Sequence, residues 1–225
     1  ITYIARDPYG VRPLFIGTDI NIIDDNIDDK YYIFSSELKG MNNLVNDIEQ
    51  FTPGSYMILY DDLSFYISKY HNIVYKNLEN NEPSLLENLN KIFREAVCKR
   101  MMSDQEICSL LSGGLDSSLV ASIVSEKLGP NKLKTFAIGL KGSPDLKFAQ
   151  IVADHIKSVH HSIELTEEEF LNSIEEVIIA IESYDTTTVR ASVGNYLVSK
   201  YIKKNTDCKV IFNGDYADEV CGGYM

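Results

Sequence analysis

The sequence predicts a mixed α/β protein in two parts, a partial antiparallel β portion followed by a doubly wound parallel sheet. Residues 1–68 hold short β-branched and aromatic runs separated by Pro, Gly, Asn and Asp clusters, the pattern of antiparallel strands and tight turns. Residues 84–225 alternate apolar runs of strand length with helical periodicities of ten or more residues, which is the pattern of parallel βαβ units. Between the two lies a polar stretch, 69–83, with Asn77, Asn80, Asn81 and Pro83, that reads as a linker.

In the first part, strands are expected at Ile1–Arg6, Pro13–Gly17, Tyr31–Ser35, Tyr56–Tyr60 and Ser64–Ser68. Asn21–Lys30 mixes aspartates and asparagines with isoleucines and suits a hairpin tip or surface loop without chemistry. Ala5-Arg6-Asp7-Pro8-Tyr9-Gly10-Val11-Arg12-Pro13-Leu14 is strand, turn and strand, with charge packed densely around the turn. Taken alone, it is a turn with an Arg–Asp pair. Phe34–Lys39 follows as strand end, cap and short helix.

The second part starts with Ser84 as cap of a helix whose Leu85, Leu86, Leu89, Ile92, Phe93, Ala96, Val97 and Met101 recur at threes and fours. A core-facing stripe is expected, with a partner-binding helix as the alternative. An apolar run, Ile107–Leu111, then leads into Ser112-Gly113-Gly114-Leu115-Asp116-Ser117-Ser118 and a helical segment to Leu128. Adjacent glycines allow a sharp turn that gathers backbone N–H groups, and the helix start aims its free amides and positive dipole end at the same spot. An anion belongs there. Ser112, Ser117 and Ser118 add hydroxyl donors for phosphate oxygens, while Asp116 beside an anion asks for a divalent metal between them. The plainer alternative is a Gly-Gly turn with Asp116 or Ser117 as helix cap. The Gly-Lys-Ser/Thr signature of ordinary ATPases and GTPases is absent.

Beyond the glycine turn the pattern predicts strand Leu133–Leu140, helix Asp145–Lys157, strand Val159–Leu165, helices Glu167–Ser183 and Ala191–Lys204, and strand Lys209–Phe212. Ligands of such sheets collect at the carboxyl ends of the strands, where Ser112, Ile138 and Asn213 all fall. The segment Glu182–Ser192 places three threonines and Arg190 between two helices. It reads either as cap chemistry with an Arg190–Asp185 pair or as a clamp in which Arg190 offers a bidentate fork to a carboxylate. Asn213-Gly214-Asp215-Tyr216-Ala217-Asp218-Glu219 follows the last strand with three carboxylates, a charge density that asks for cations or donors. The alternating oxygen ligands of a calcium loop are missing.

Composition narrows the partners. With 33 acidic and 21 basic residues the net charge is −12, and no basic run appears, so nucleic acid is not an expected partner, and no membrane is expected because no apolar stretch approaches membrane-spanning length. Cys98, Cys108, Cys208 and Cys221 have no CxxC spacing and read as reduced, mostly buried thiols of a cytoplasmic protein. Ile1 lies inside a β-like run, so the chain reads as a piece of something longer.

The seven-residue string resembles the PP-loop of ATP pyrophosphatases, which cleave ATP between the α- and β-phosphates and adenylylate a substrate oxygen. Ala5–Leu14, Phe34–Lys39 and Phe51-Thr52-Pro53-Gly54-Ser55-Tyr56 resemble the second half of the Ntn-hydrolase-type glutaminase domain of class II glutamine amidotransferases. In that family a catalytic cysteine stands at the start of the domain, which here places it upstream of Ile1. Taken in order, Leu111–Ser118, Thr135–Asp145, Val159-His160-His161, Tyr184–Ser192 and Gly214–Tyr224 resemble the glutamine-hydrolysing asparagine synthetases over nearly the whole chain.

That resemblance implies residues 1–68 as glutaminase remainder, 69–83 as linker and 84–225 as the first part of the synthetase domain, with ATP and Mg²⁺ as cofactors and aspartate with glutamine or ammonia as substrates. A homodimer is an open expectation for the full-length protein. Leu111, Ile138, Asn213 and Gly214 would line the adenosine site, and Ser112, Gly113, Gly114, Asp116 and Ser117 the pyrophosphate. Asp116 and Asp218 are the implied magnesium-side carboxylates, and Thr187, Thr188 and Arg190 the residues facing aspartate or its adenylate. Asp215 stands where the family usually has a glutamate that handles a proton as ammonia attacks; with Asp116 and Arg190 it completes the implied catalytic set. Three departures accompany this. Asp215 is one methylene short, Asn213 replaces a customary serine, and Tyr216-Ala217 replaces Gly-Ser. The family's further synthetase helices, with a phosphate-binding lysine, would lie beyond Met225, and residues 1–225 alone are expected to turn over nothing.

Overall fold

The computed structural model describes residues 1–23, 26–74 and 82–223, and the chain separates into two compact units, Ile1–Leu78 and Glu79–Met225. In the first unit, β1 (Thr2–Ala5), β5 (Ser55–Leu59) and β6 (Phe65–Lys69) form one antiparallel sheet in the order β1-β5-β6. A second antiparallel sheet has the order β3-β2-β4, from β2 (Phe15–Ile23), β3 (Asn26–Ser35) and β4 (Asp47–Gln50). The hairpin strands β2 and β3 run well into the stretch expected to be loop, up to residues 24–25, which lie outside the described residues. The isoleucines of that stretch supply the strand propensity that the aspartates obscure.

Strand β4 was not legible, since Asp47-Ile48-Glu49-Gln50 offers one apolar residue; its pairing with Phe15–Thr18 makes it a strand. Met41, Phe51 and Met57 fill the buried interior, and Tyr32 meets Phe65 edge-on at 5.8 Å between the two sheets. The expected short helix after Ser35 is a single 3-10 turn, Leu38–Gly40.

The second unit is a four-stranded parallel sheet of order β10-β7-β8-β9, built from β7 (Ile107–Leu110), β8 (Lys134–Leu140), β9 (Val159–Leu165) and β10 (Val210–Phe212). Period-two alternation covers both faces. Ala137 joins Leu111, Val120, Val124 and Ala149 on one side, under α1 (Glu82–Arg100), α2 (Leu115–Leu128) and α3 (Pro144–Ile156). Phe136 and Cys108 pack on the other with Val198 and Ile202 of α6 (Thr186–Asn205). Outside α6, Val177 of α5 (Ile174–Ile181) packs on Val189 and Val193. The single helix expected over Glu167–Ser183 is two, because α4 (Glu167–Asn172) closes at Ser173, whose hydroxyl donates to the Phe170 carbonyl.

The histidine pair divides between the two faces. His161 stacks on Phe136 at 4.8 Å, while His160 Nδ1 lies 2.9 Å from the Thr135 hydroxyl and its Nε2 is buried without a partner. Of the four free thiols expected to be mostly buried, Cys108 and Cys208 are buried, Cys98 is half-buried and Cys221 is exposed, and burial raises the Cys108 pKa.

Helix α1 corrects two expectations: it starts at Glu82, so Ser84 lies inside it and does not cap it, and only part of its apolar stripe is buried. Its second half packs as foreseen through Phe93, Val97 and Met101, and Arg94 pairs with Glu126 of α2 at 2.8 Å. Its first half does not: Leu85, Leu86, Leu89 and Ile92 are exposed, the last by 62%. A helical stripe is buried only as far as its neighbour extends, and periodicity carries no information about that length. No helix among the described residues is long and apolar enough to cross a membrane.

Candidate active site

Strand order places the site. From β9 the chain passes through α4, α5 and α6 to the opposite edge, where β10 pairs in parallel with β7 at Val210–Ile107 through Phe212–Ser109. The direction of winding therefore reverses between β7 and β10, and the crevice outside their carboxyl ends is where an open α/β sheet binds its ligand. Ser109 ties the two strands further, its hydroxyl donating to the Phe212 carbonyl at 3.2 Å.

A cleft of about 390 Å³ opens at this point, lined by Leu110, Ser112, Gly114, Asp116, Ser117, Ala191, Asn195, Asn213, Gly214, Asp215, Tyr216, Asp218 and Glu219. Gly113, expected among the phosphate contacts, does not line the cleft but turns the chain against α3. It sits at φ +81°, and a Cβ there would lie 2.6 Å from the Ala149 nitrogen. Helix α2 begins at Gly114, which provides no side-chain cap, so the first-turn amides face the cleft for an anion or solvent.

The serines organise the turn. Ser112 and Ser117 hydroxyls are 2.9 Å apart, and the Gly114 N–H donates to Ser112 Oγ at 3.3 Å. Ser118 is spent within the helix instead, donating to the Gly114 carbonyl at 2.6 Å, which removes it from the expected phosphate donors.

The β10 loop approaches this helix start closely. A Cβ on Gly214 would stand 2.5 Å from the Ser117 nitrogen and 2.9 Å from Asp116 Cβ, so only glycine allows the approach. Next to it, the Asn213 amide donates to Asp215 Oδ2 at 2.7 Å. Tyr216 follows at φ +78°, a left-handed conformation natural to the glycine usual there in the resembled family. It precedes the short helix α7 (Ala217–Cys221), which was not legible in the sequence and sets Asp218 and Glu219 on the cleft wall.

Of the expected site residues, the structure therefore assembles Ser112, Gly114, Asp116, Ser117, Asn213, Gly214, Asp215 and Asp218 around one cleft. Leu111 is 1% exposed and belongs to the core, and Ile138 packs beneath α6 toward Gly194. Thr187, Thr188 and Arg190 are exposed and do not line the cleft. They occupy the first turn of α6, which starts five residues earlier than expected because Asp185 caps it. Asp185 Oδ1 accepts from both the backbone N–H and the hydroxyl of Thr188 at 2.8 Å, bonds that lower its pKa. Arg190 has no ion pair with Asp185. One helical turn on, Ala191 and Asn195 do line the cleft; sequence reading missed them because their helix was expected to begin at Ala191 with no stated face.

Among the described residues no group of three or more His, Cys, Asp or Glu side chains forms a metal cage. Asp116 and Asp218 on one cleft nevertheless suit magnesium, which takes one or two carboxylates and completes its octahedron with phosphate oxygens and water.

A parallel sheet whose switch point carries a glycine turn, an uncapped helix start and facing carboxylates defines an α/β domain with a cleft suited to an anionic ligand. The particular family follows from comparison: the profile described as "Asparagine synthase" matches residues 88–225, and the chain belongs to that family. The chain is 42% identical to the asparagine synthetase [glutamine-hydrolyzing] of Homo sapiens, over 99% of this chain and 43% of that protein, and the match to the Gallus gallus protein has the same identity and coverage. It thus spans less than half the length of these relatives. Among solved structures, the NH3-dependent NAD synthetase from Campylobacter jejuni matches with TM-score 0.42 and 17% identity, over 65% of this chain and 62% of that one.

Proposed function

We propose that the complete protein forms asparagine from aspartate, with glutamine or ammonia as nitrogen source and ATP as the energy source, through a β-aspartyl-AMP intermediate. The observation that carries this reading is the meeting of the β7 and β10 loops, which sets the α2 amides, Ser112, Ser117 and four carboxylates around one cleft in a chain of the asparagine synthase family. An aspartate carboxylate oxygen attacks the α-phosphorus and pyrophosphate departs. The Gly114–Ser117 turn holds the departing phosphates through N–H groups fixed before reaction, where preorganised donors are most effective. Asp116 and Asp218 would hold Mg²⁺, which supplies countercharge to the phosphates. Ammonia then attacks the acyl carbon, AMP leaves, and Asp215 takes the proton that ammonia must lose. Asn213 and Gly214 fit the adenosine end.

Products decide the reading. Incubation of the complete protein with labelled ATP, aspartate and ammonia is expected to yield AMP, pyrophosphate and asparagine, and ADP with phosphate would exclude it. The net charge of −12 supports small molecules rather than nucleic acid or membrane as partners, in a cytoplasmic setting. A second reading, adenylylation of a different carboxylate, draws support from the position of Thr187, Thr188 and Arg190 outside the cleft. Pyrophosphate exchange dependent on aspartate, measured against other carboxylic acids, separates the two.

A further inference from the structure

The cleft holds a hydrogen bond that neither the family match nor the proposed chemistry assigns. Asn213 and Asp215 flank Gly214, and the Asn213 amide reaches across the glycine to Asp215 Oδ2 at 2.7 Å. Both side chains are exposed on the cleft wall, so neither burial nor packing fixes them. What restrains the pair is the clip itself and the backbone on either side of it. On one side, Gly214 is pressed against the start of α2, where a Cβ would be 2.5 Å from the Ser117 nitrogen. On the other, Tyr216 is held at φ +78°, a conformation unfavourable for a residue with a side chain.

We infer that Asn213 is a positioning residue for Asp215 in the amide-forming half of the reaction. The inference rests on the proposed function. A free aspartate swings about two torsions, and this one is a methylene shorter than the glutamate the resemblance leads one to expect, so its reach and aim are both reduced. By donating to Oδ2, the Asn213 amide stops that rotation and leaves Oδ1 as the oxygen available to the cleft. A serine, the residue customary at position 213, has a hydroxyl on a shorter side chain and reaches less far across Gly214. The two departures, Asn213 and Asp215, are thereby one compensated unit: a shorter acid with a longer donor.

The test compares two readouts in the complete protein with ammonia as nitrogen source: aspartate-dependent exchange of pyrophosphate into ATP, and asparagine formed. For Asn213→Ala, the ratio of asparagine formed to pyrophosphate exchanged is expected to fall roughly tenfold, the size of one lost hydrogen bond to a charged group. Asn213→Ser is expected to fall between the two. In an Asp215→Asn background Asn213→Ala should leave the ratio where Asp215→Asn alone puts it, because no carboxylate remains to be aimed. An unchanged ratio for Asn213→Ala, or an equal further fall in the Asp215→Asn background, overturns the positioning role even if the protein makes asparagine. Absence of aspartate-dependent exchange in the unmutated protein overturns the proposed function, and the inference with it. Thermal denaturation of each variant separates these outcomes from failure to fold.

Discussion

Two turns in this chain look alike in sequence and behave in opposite ways. Arg6–Arg12 and Asn213–Glu219 each follow a strand, contain a glycine and crowd charges into a few residues. In the first, Arg6 and Asp7 are both satisfied within the turn and its neighbours, and of its charges only the Arg12 side chain is left exposed. Arg6 is 5% exposed and donates to the carbonyls of Arg12, Phe51 and Gly10, while the Asp7 carboxylate accepts from the N–H groups of Tyr9, Val11 and Arg12. The expected Arg–Asp pair does not form, because carbonyls and amides of the folded turn satisfy each group more completely. In the second turn, Asp215 and Asp218 line the cleft beside the uncapped start of α2. A charged turn that closes on itself supports the fold; one whose donors and carboxylates remain turned outward can serve a ligand.

This contrast can be broken by mutation, beginning where the effect is largest. Arg6→Ala removes three bonds to carbonyls and leaves at least the buried Phe51 carbonyl unpaired, so a loss of about 3 kcal/mol is expected in denaturant unfolding. Retention of full stability would show that the first turn is not closed by Arg6. Gly214→Ala attacks the second turn. Its Cβ forces the loop from the α2 start, and displacement of this order costs roughly a hundredfold in reaction rate, read as pyrophosphate exchange in the complete protein. Stability should fall less than activity, the reverse of Arg6→Ala.

Smaller effects sharpen the same distinction. Tyr216→Gly relieves a left-handed non-glycine residue and is expected to raise stability by about 1 kcal/mol in thermal or chemical denaturation. A loss instead would mean that the exposed tyrosine makes contacts worth more than its strain. Acid titration separates the groups by direction. The Asp7 pKa is lowered, first by the Val11 N–H, so its contribution is present above the ordinary value of 3.8 and is lost as pH falls through the folded value below it. The His160 pKa is lowered, chiefly by burial. The neutral ring is favoured in the fold, so stability is full above the ordinary 6.5 and declines as pH drops beneath it. Replacing His160 with Gln should remove the decline near neutrality while leaving the strongly acidic one.

Much of this protein was legible residue by residue. Strand β9 begins and ends where alternation places it, α3 lies within one residue of its expected span, and the glycine string lies at the end of β7 as strand-turn-helix chemistry requires. These are local facts, set by propensity, periodicity and turn chemistry within a few residues. Four features were not read this way. The start of α6 at Thr186 depended on Asp185 acting as cap, which competed with a ligand-facing reading of the same threonines. The exposure of Leu89 does not follow from its helical spacing, and β4 became a strand through its partner β2. The cleft itself required the return of β10 to the side of β7, which brings Gly214 against Ser117 across nearly a hundred residues of chain. The sequence by itself determined which residue types stand at the strand ends. Only the tertiary structure decided which ends meet, since strand order follows from packing both faces of one sheet, a constraint that no single segment contains.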